Sequence, residues 1–301
     1  MPAATAASTI NTATIELPVQ YVGQIAQKVR DQSVVAKLCP AEPATFMSEK
    51  HMVFNQEPEG EYVGEGEAKS ASQFKFQPVS GQIHKFQVTV RMTNEVIWAD
   101  EDSRIGLLDE LIGALTPALA RGLDYGILHA VSPLTGAALK GETALTAASN
   151  QVAATDDPVA DMDGLPTPTI DDYDFNGIAL STGYANTLRQ LRVKETGAKY
   201  YPEIPLSVRN AGTVGGVTAA VSGTVQGRLL SKASNILAIG GDWSMLRWGY
   251  VRNLGVERIE YGDPDGLGDL KRNNQVAFRA ECVFSWAVLD QHAFTTLKSA
   301  V

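Results

Sequence analysis

Apolar and polar positions alternate most cleanly in two stretches of the chain. Phe86, Val88, Val90 and Met92 are interleaved with Lys85, Gln87, Thr89 and Arg91, the period of two that gives a strand one buried face and one polar face. Further on, Val276, Phe278, Ala280, Cys282, Phe284 and Trp286 alternate with Gln275, Ala277, Arg279, Glu281 and Ser285. This second strand is expected to pair with the stretch around Leu254, Val256 and Arg258 across a turn at GDPDGLGD. Between the two strands the spacing changes to three and four. Ile105, Leu108, Leu111, Ile112, Leu115, Leu119, Leu123 and Ile127 make one apolar stripe, which predicts a helix from about Glu101 to His129, ~43 Å long. Asp100, Glu101 and Asp102 stand where a helix N-terminus favours acids. Pro117 is expected to bend the helix one turn earlier, near Gly113.

The rest of the chain carries weaker patterns. Residues 1–17 are rich in Ala and Thr without a period and read as an arm, followed by a short amphipathic helix with Val19, Val22, Ile25, Ala26 and Val29 on one face. From Met52 to Met92 glycines punctuate two extended arms. That pattern predicts a long hairpin with little beneath its tip, which is not stable alone and needs a neighbouring subunit to hold it. Residues 131–172 read as a loose loop, GIALS as a buried strand, and GYANTLRQLRV as a short helix with Leu188 and Leu191 inward. The glycine-rich stretch 210–227 reads as a mobile loop before a strand at NILAIGGDW. Strands, helices and loops in this order make an α+β chain.

Composition narrows the function. A net charge of −9, from 25 basic and 34 acidic residues, disfavours nucleic-acid binding by bulk charge. Cys39 and Cys282, far apart in sequence, are expected to be free thiols. The N-terminus lacks the basic start and apolar core of a secretory signal, and no apolar run is long enough to span a membrane. His51, His84, His129 and His292 stand singly, without metal-ligand spacing, and read as surface or satisfied core histidines. GTVGGV and GGDWS lack phosphate-loop spacing, and no GxSxG elbow occurs. The pairs Asp156/Asp157 and Asp171/Asp172 read as solvated surface or helix caps. No cofactor, metal or catalytic set is expected, though the residues leave open a soluble hydrolase with a hairpin lid.

The segment EYVGEGEAKSASQFKFQPVSGQIHKFQVTVRMTNEVIWAD, residues 61–100, resembles the extended E-loop and return strand of HK97-fold phage capsid proteins. Glu65, Gly66 and Lys69 match the loop motif, and Asn94, Glu95 and Asp100 match the acidic step into the family's spine helix. LARGLDYGILHAV, NILAIGGDWSMLRWGYVRNLGVERIE and NNQVAFRAECVFSWAVLDQHAF resemble later segments in the same order. The resemblance implies an N-terminal arm with a short helix (1–36), a P-domain in three parts (37–55, 93–135 with the spine helix, 251–288 with the closing strands), an E-loop (56–92), an A-domain (136–250, with a loop insertion at 136–172) and a C-terminal segment (289–301) returning to the A-domain.

By the same resemblance the chain is a major capsid protein that forms hexamers and pentamers with itself. These close into an icosahedral head around double-stranded DNA, in the virion, after assembly in the host bacterial cytoplasm. Its implied partners are a portal, a decoration protein and, because the chain starts at Met1 with only a short arm, a separate scaffolding protein. Glu65, Lys69, Phe74, Phe76 and Arg91 are expected at subunit interfaces. Some relatives crosslink a loop lysine to an asparagine on the closing strand with help from a glutamate, and Lys69, Asn274 and Glu281 match those positions. The plainer reading pairs Lys69 with an acid and lets Asn274 end a turn. Seven residues place Asn274 and Glu281 ~23 Å apart on opposite faces of one strand, so a single subunit cannot assemble that site. An encapsulin-type nanocompartment shell has the same fold and is the alternative.

Overall fold

A computed structural model describes residues 32–45, 50–54, 58–71, 76–103, 106–147, 150–228 and 234–299. The amphipathic helix expected at residues 18–29, Ile105 and Phe74 lie outside the described residues. In chain order the elements are α1 (Val34–Leu38), β1 (Lys50–Phe54), β2 (Phe76–Ser80), β3 (Gln82–Thr93), α2 (Asn94–Ser103), α3 (Leu107–Asp124), β4 (Asn150–Ala153), α4 (Pro158–Gly164), β5 (Gly177–Leu180), α5 (Thr182–Gln190), β6 (Thr213–Val214), β7 (Val217–Val221), β8 (Ile236–Gly241), β9 (Leu246–Ile259), β10 (Gln275–Val288) and β11 (Phe294–Lys298).

The strands form three sheets: a β1-β2 ladder, a three-stranded sheet in the order β3-β10-β9, and a six-stranded sheet in the order β4-β11-β8-β5-β7-β6. The two strongly alternating stretches are β3 and β10, and they pair antiparallel from Gln275↔Thr93 to Trp286↔Gln82. The apolar face of β3 explains where it goes. Met92 is fully buried, and Val88 and Val90 pack with Leu111, Leu115 and Leu119 of α3 and with Val276, Phe278 and Ala280 of β10. Residues 82–92 are therefore paired within the chain's own three-stranded sheet, and the projecting part of the expected 56–92 hairpin is confined to the β1-β2 ladder and the residues beyond it. On its other side β10 pairs with β9, with register shifts at Glu281/Cys282 and Val283/Phe284 that bend the ladder.

The single helix expected over 101–129 is divided. Asn94–Ser103 forms α2, Gly106 takes a left-handed φ of 78°, and α3 then runs unbroken through Pro117 to Asp124. A π-helical turn continues it from Tyr125 to His129. A periodic stripe is blind to such a break, because Gly106 interrupts hydrogen bonding without removing an apolar position. Asp100 caps across the break from the end of α2, accepting the Leu107 amide at 2.9 Å. Asp109 and Glu110 are the acids in the first turn of α3. Near its end the helix lies so close to the sheet that a methyl group at Gly122 would run into the Phe86 ring, and one at Gly126 into Trp286.

Two stretches read as loops contain regular structure. Within 131–172, β4 forms the edge of the six-stranded sheet beside β11, too short and too polar to show a pattern. Helix α4 begins at Pro158 with Asp157 as its cap, accepting the Val159 amide at 3.0 Å. Within 210–227, β6 and β7 form a hairpin whose turn residues Gly215 and Gly216 have φ of 58° and 87°, the conformation a tight two-residue hairpin turn requires. Ala219, Ala220 and Val221 of β7 are buried beside β5. Glycines that read as mobility are here the means of a sharp reversal. The expected strands at 177–181 and 235–243 are β5 and β8, and Leu188 of α5 is fully buried.

Three separate segments meet at Asp124, the last residue of α3, which is fully buried. Its carboxylate accepts hydrogen bonds from the Ser33 hydroxyl at 2.5 Å, the Val34 and Val35 amides at 3.0 and 3.2 Å, and the Thr224 hydroxyl at 2.6 Å. One side chain thus joins the start of α1, the end of α3 and the loop after β7. Burial raises its pKa from 3.8 to about 6, against the opposing pull of those four hydrogen bonds.

Two outcomes are expected. Leu115→Ala, on the buried stripe of α3, should lower unfolding free energy by about 2–5 kcal/mol in urea titration, and a loss under 1 kcal/mol would misplace the helix face. For Asp124 the raised folded pKa means the folded chain binds a proton more tightly than the unfolded chain. Its contribution therefore favours folding below pH 3.8 and is lost as pH rises through about 6. The stability difference between wild type and Asp124→Asn should fall by up to about 3 kcal/mol between pH 4 and 7.5; a difference that does not change with pH contradicts this.

Candidate subunit interface

Beyond Phe54 and Phe76, where the β1-β2 ladder ends, residues 58–71 are exposed without exception. The tip holds its own shape. It turns at Glu65 and Gly66, with Gly66 at φ 84°. Glu61 accepts the Ser70 amide at 2.6 Å, Glu67 accepts the Gly64 amide at 3.1 Å, and the Glu67 amide donates to the Gly64 carbonyl at 3.2 Å. Hydrogen bonds to Ser70, side chain and backbone, hold the Glu61 carboxyl below its usual range. Tyr62 stands fully clear of the chain at 107% relative exposure. Glu65 and Lys69 lie on this exposed tip, and Phe76 at its base is half exposed at 52%.

Arg91, expected at a subunit interface, is instead buried in its own chain. Its guanidinium forms a fork with both carboxylate oxygens of Asp265, reaches Asp263 at 3.2 Å, and donates to the Gly268 carbonyl at 2.9 Å and Gln275 Oε1 at 3.0 Å. It fastens the loop between β9 and β10 onto the sheet. The alternating pattern placed Arg91 on the polar face of β3 but could not show that a loop 170 residues later folds over that face. The same loop is held by Arg279, which donates to the Pro264 carbonyl at 2.8 Å.

Lys69, Asn274 and Glu281 are not brought together within the chain. Asn274 has a positive φ of 52° and closes the turn into β10. Its carbonyl oxygen accepts the Asn94 side-chain amide at 2.7 Å, its own amide donates to Glu95, and its backbone carbonyl accepts the Asn94 amide at 3.0 Å. Hydrogen bonds, first from its own backbone amide and then from Asn274, hold Glu95 below the usual carboxylate range. Glu281 pairs with Lys85 at 2.8 Å. Asp124 went unnoticed in the sequence, although a lone acid set among Leu123, Tyr125 and Ile127 was a signal for a buried carboxylate.

His84, His129 and the two cysteines are taken up by the chain's own packing. His84 stacks on Trp286 with ring centroids 4.1 Å apart, and Glu142 bridges the two, 2.7 Å from His84 Nε2 and 3.1 Å from Trp286 Nε1. His129 Nε2 lies 2.8 Å from the Thr224 carbonyl, and burial lowers its pKa. Cys39 and Cys282 are buried free thiols, each pushed up to about 11 by desolvation. Among the described residues no group of three or more His, Cys, Asp and Glu side chains could hold a metal ion, and no helix is long and apolar enough to cross a membrane.

Comparison with known proteins gives this architecture its context. A comparison with curated proteins finds no match. A solved chain of Mycobacterium phage Ogopogo superposes with a TM-score of 0.86 at 36% identity, over 97% of this chain and 100% of that one. One of Gordonia phage Cozz gives 0.79 at 29% identity, over 95% and 92%. A chain from the capsid of a native GTA particle shares the fold, with a TM-score of 0.65 at 14% identity over 96% and 99%. The profile of the Phage capsid family matches residues 15–299. A spine helix packed on a three-stranded sheet, a hairpin standing clear of it and this match over nearly the whole length agree: the chain belongs to the phage capsid family.

Proposed function

We propose that the chain is a major capsid protein whose copies assemble, as hexamers and pentamers, into the shell of a tailed-phage head, and that its role there is mechanical rather than catalytic. The observation that carries this reading is the tip at 58–71, exposed at every position yet preorganised by its own hydrogen bonds. A two-stranded ribbon is marginal by itself in water, so such an element makes sense as something a neighbouring copy receives. The family match favours this reading over an encapsulin-type shell. Scaffolding, portal and decoration proteins and packaged double-stranded DNA are the partners it calls for, and the virion head is where it would reside. Many modest contacts of this kind multiply on closure, so a shell outlasts any one of them.

The shell on this reading is held without covalent crosslinks. Support comes from the side chains that a crosslink would need: the Asn274 carboxamide is engaged by Asn94 and Glu95, and Glu281 by Lys85.

Replacing residues 58–71 by a short glycine linker should leave a soluble subunit with unchanged circular dichroism that no longer builds closed particles in negative-stain images. Normal shells from that variant would refute the hairpin's role. On a denaturing gel, mature heads should give one band at 32.2 kDa, whereas a ladder abolished by Lys69→Ala would establish the crosslink instead.

A further inference from the structure

The turn GDPDGLGD between β9 and β10 carries a spacing of its own. Counted from Asp263, acids stand at the first and third positions and Gly268 at the sixth, as in the oxygen-ligand loops that hold calcium, where the glycine at six makes a sharp turn. Gly268 turns here with φ of 97°, and Gly262 and Gly266 take 81° and 79°. The Leu270 amide donates to the Gly262 carbonyl at 2.8 Å and the Leu270 side chain is fully buried, so the loop closes on itself and is anchored at its exit. The likeness is partial. Leu267 stands at the fifth position, where such loops offer another side-chain oxygen, and the Asp269 carboxylate is spent on the Arg272 amide at 2.8 Å.

Arg91, which is 2% exposed, fills this loop from β3. At Nε and Nη1 the guanidinium donates to one oxygen apiece, Asp265 Oδ2 at 3.1 Å and Gln275 Oε1 at 3.0 Å. Nη2 is different. It carries two N–H bonds, yet three oxygens converge on it: Asp263 Oδ1 at 3.2 Å, the Gly268 carbonyl at 2.9 Å, and Asp265 Oδ1. Acceptors in excess of donors are what oxygens form around a point of positive charge. The charges agree, because two carboxylates face one guanidinium, where a divalent ion would cancel both. Arg279 meets the loop at the Pro264 carbonyl, 2.8 Å away. Two carboxylates, a carbonyl and an amide oxygen are hard ligands of the kind calcium takes, without the nitrogen or sulfur that transition metals favour.

We propose that loop 262–270 is a calcium-type loop whose cation is built into the chain: the Arg91 guanidinium stands where a divalent ion would sit, and removing it leaves a weak calcium site made by Asp263, Asp265, Gly268 and Gln275. A tethered cation can be neither diluted nor chelated away. The order of the loop is therefore independent of the ions around it, and the same side chain fixes β3 to the connection between β9 and β10.

Calorimetric titration of the full chain with calcium chloride at constant ionic strength tests this. Arg91→Met should bind one more calcium ion per chain than wild type, with a Kd of about 0.1–1 mM, and the double variant Arg91→Met/Asp265→Asn should lose it. Hydrogen exchange in residues 262–270 should be indifferent to calcium and to EDTA in wild type and faster in Arg91→Met, where about 5 mM calcium should slow it again about fivefold or more. Arg91→Lys separates a point cation from a planar fork, since an ammonium can serve several oxygens about one point but cannot pair two-pronged. It should keep most of the protection and take up no extra calcium. No extra calcium in Arg91→Met, uptake that survives Asp265→Asn, or a loop as open in Arg91→Lys as in Arg91→Met would each overturn the proposal. Should Arg91→Met be insoluble with and without calcium, Arg91→Lys decides: a loop that exchanges as in wild type and ignores calcium supports the built-in cation, and an open loop overturns it.

Discussion

A carboxylate with no access to water must be surrounded by donors, and at Asp124 those donors come from parts of the chain more than 90 residues apart. Ser33, Val34 and Val35 approach from the start of α1, and Thr224 from the loop after β7. Because an unpaired buried acid is far more costly than a paired one, the three segments have essentially one arrangement in which all are satisfied. The root of the N-terminal segment, the end of the spine helix and the six-stranded layer are thereby fixed relative to each other. Around this point lies the largest core, where Val34, Val35, Leu123, Ile127, Trp243 and Phe294 pack together.

The second constraint is the Arg91 fork. A guanidinium offers five donors in one plane, and here two aspartates, a backbone carbonyl and a glutamine take them. This turns a loop rich in glycine and aspartate into a rigid cap over one end of the β3-β10-β9 sheet. A polar residue on the edge-strand face is thus spent on internal architecture rather than on a neighbour. For a shell subunit that distinction matters, since mechanical load passing through the sheet reaches a loop that is tied down.

Charged and polar groups of the body are largely engaged internally, while the hairpin tip at 58–71 is exposed at every position. That division suits a building block. Rigid bodies keep angles constant from copy to copy, and projecting parts reach across boundaries, so a modest contact repeated around a closed surface gives a durable container.

Read alone, the sequence determined the elements whose signal is local. Period two along β3 and β10, the apolar stripe of α3, the helix at Leu188 and the exposed character of residues 58–71 were all written in side-chain spacing, because burial of one face imposes a period wherever the element is regular and half exposed. What the tertiary structure alone decided is where non-local partners meet. The helix divides at Gly106 because Asp100 can cap a new start across the break. β7 is a strand because β5 supplies its ladder, and β4 because β11 does. Arg91 is internal because the loop at Asp263 and Asp265 returns to it. Each of these depends on hydrogen-bond partners remote in the chain, and a one-dimensional pattern records which residues avoid water but not which distant group will satisfy a buried donor or acceptor.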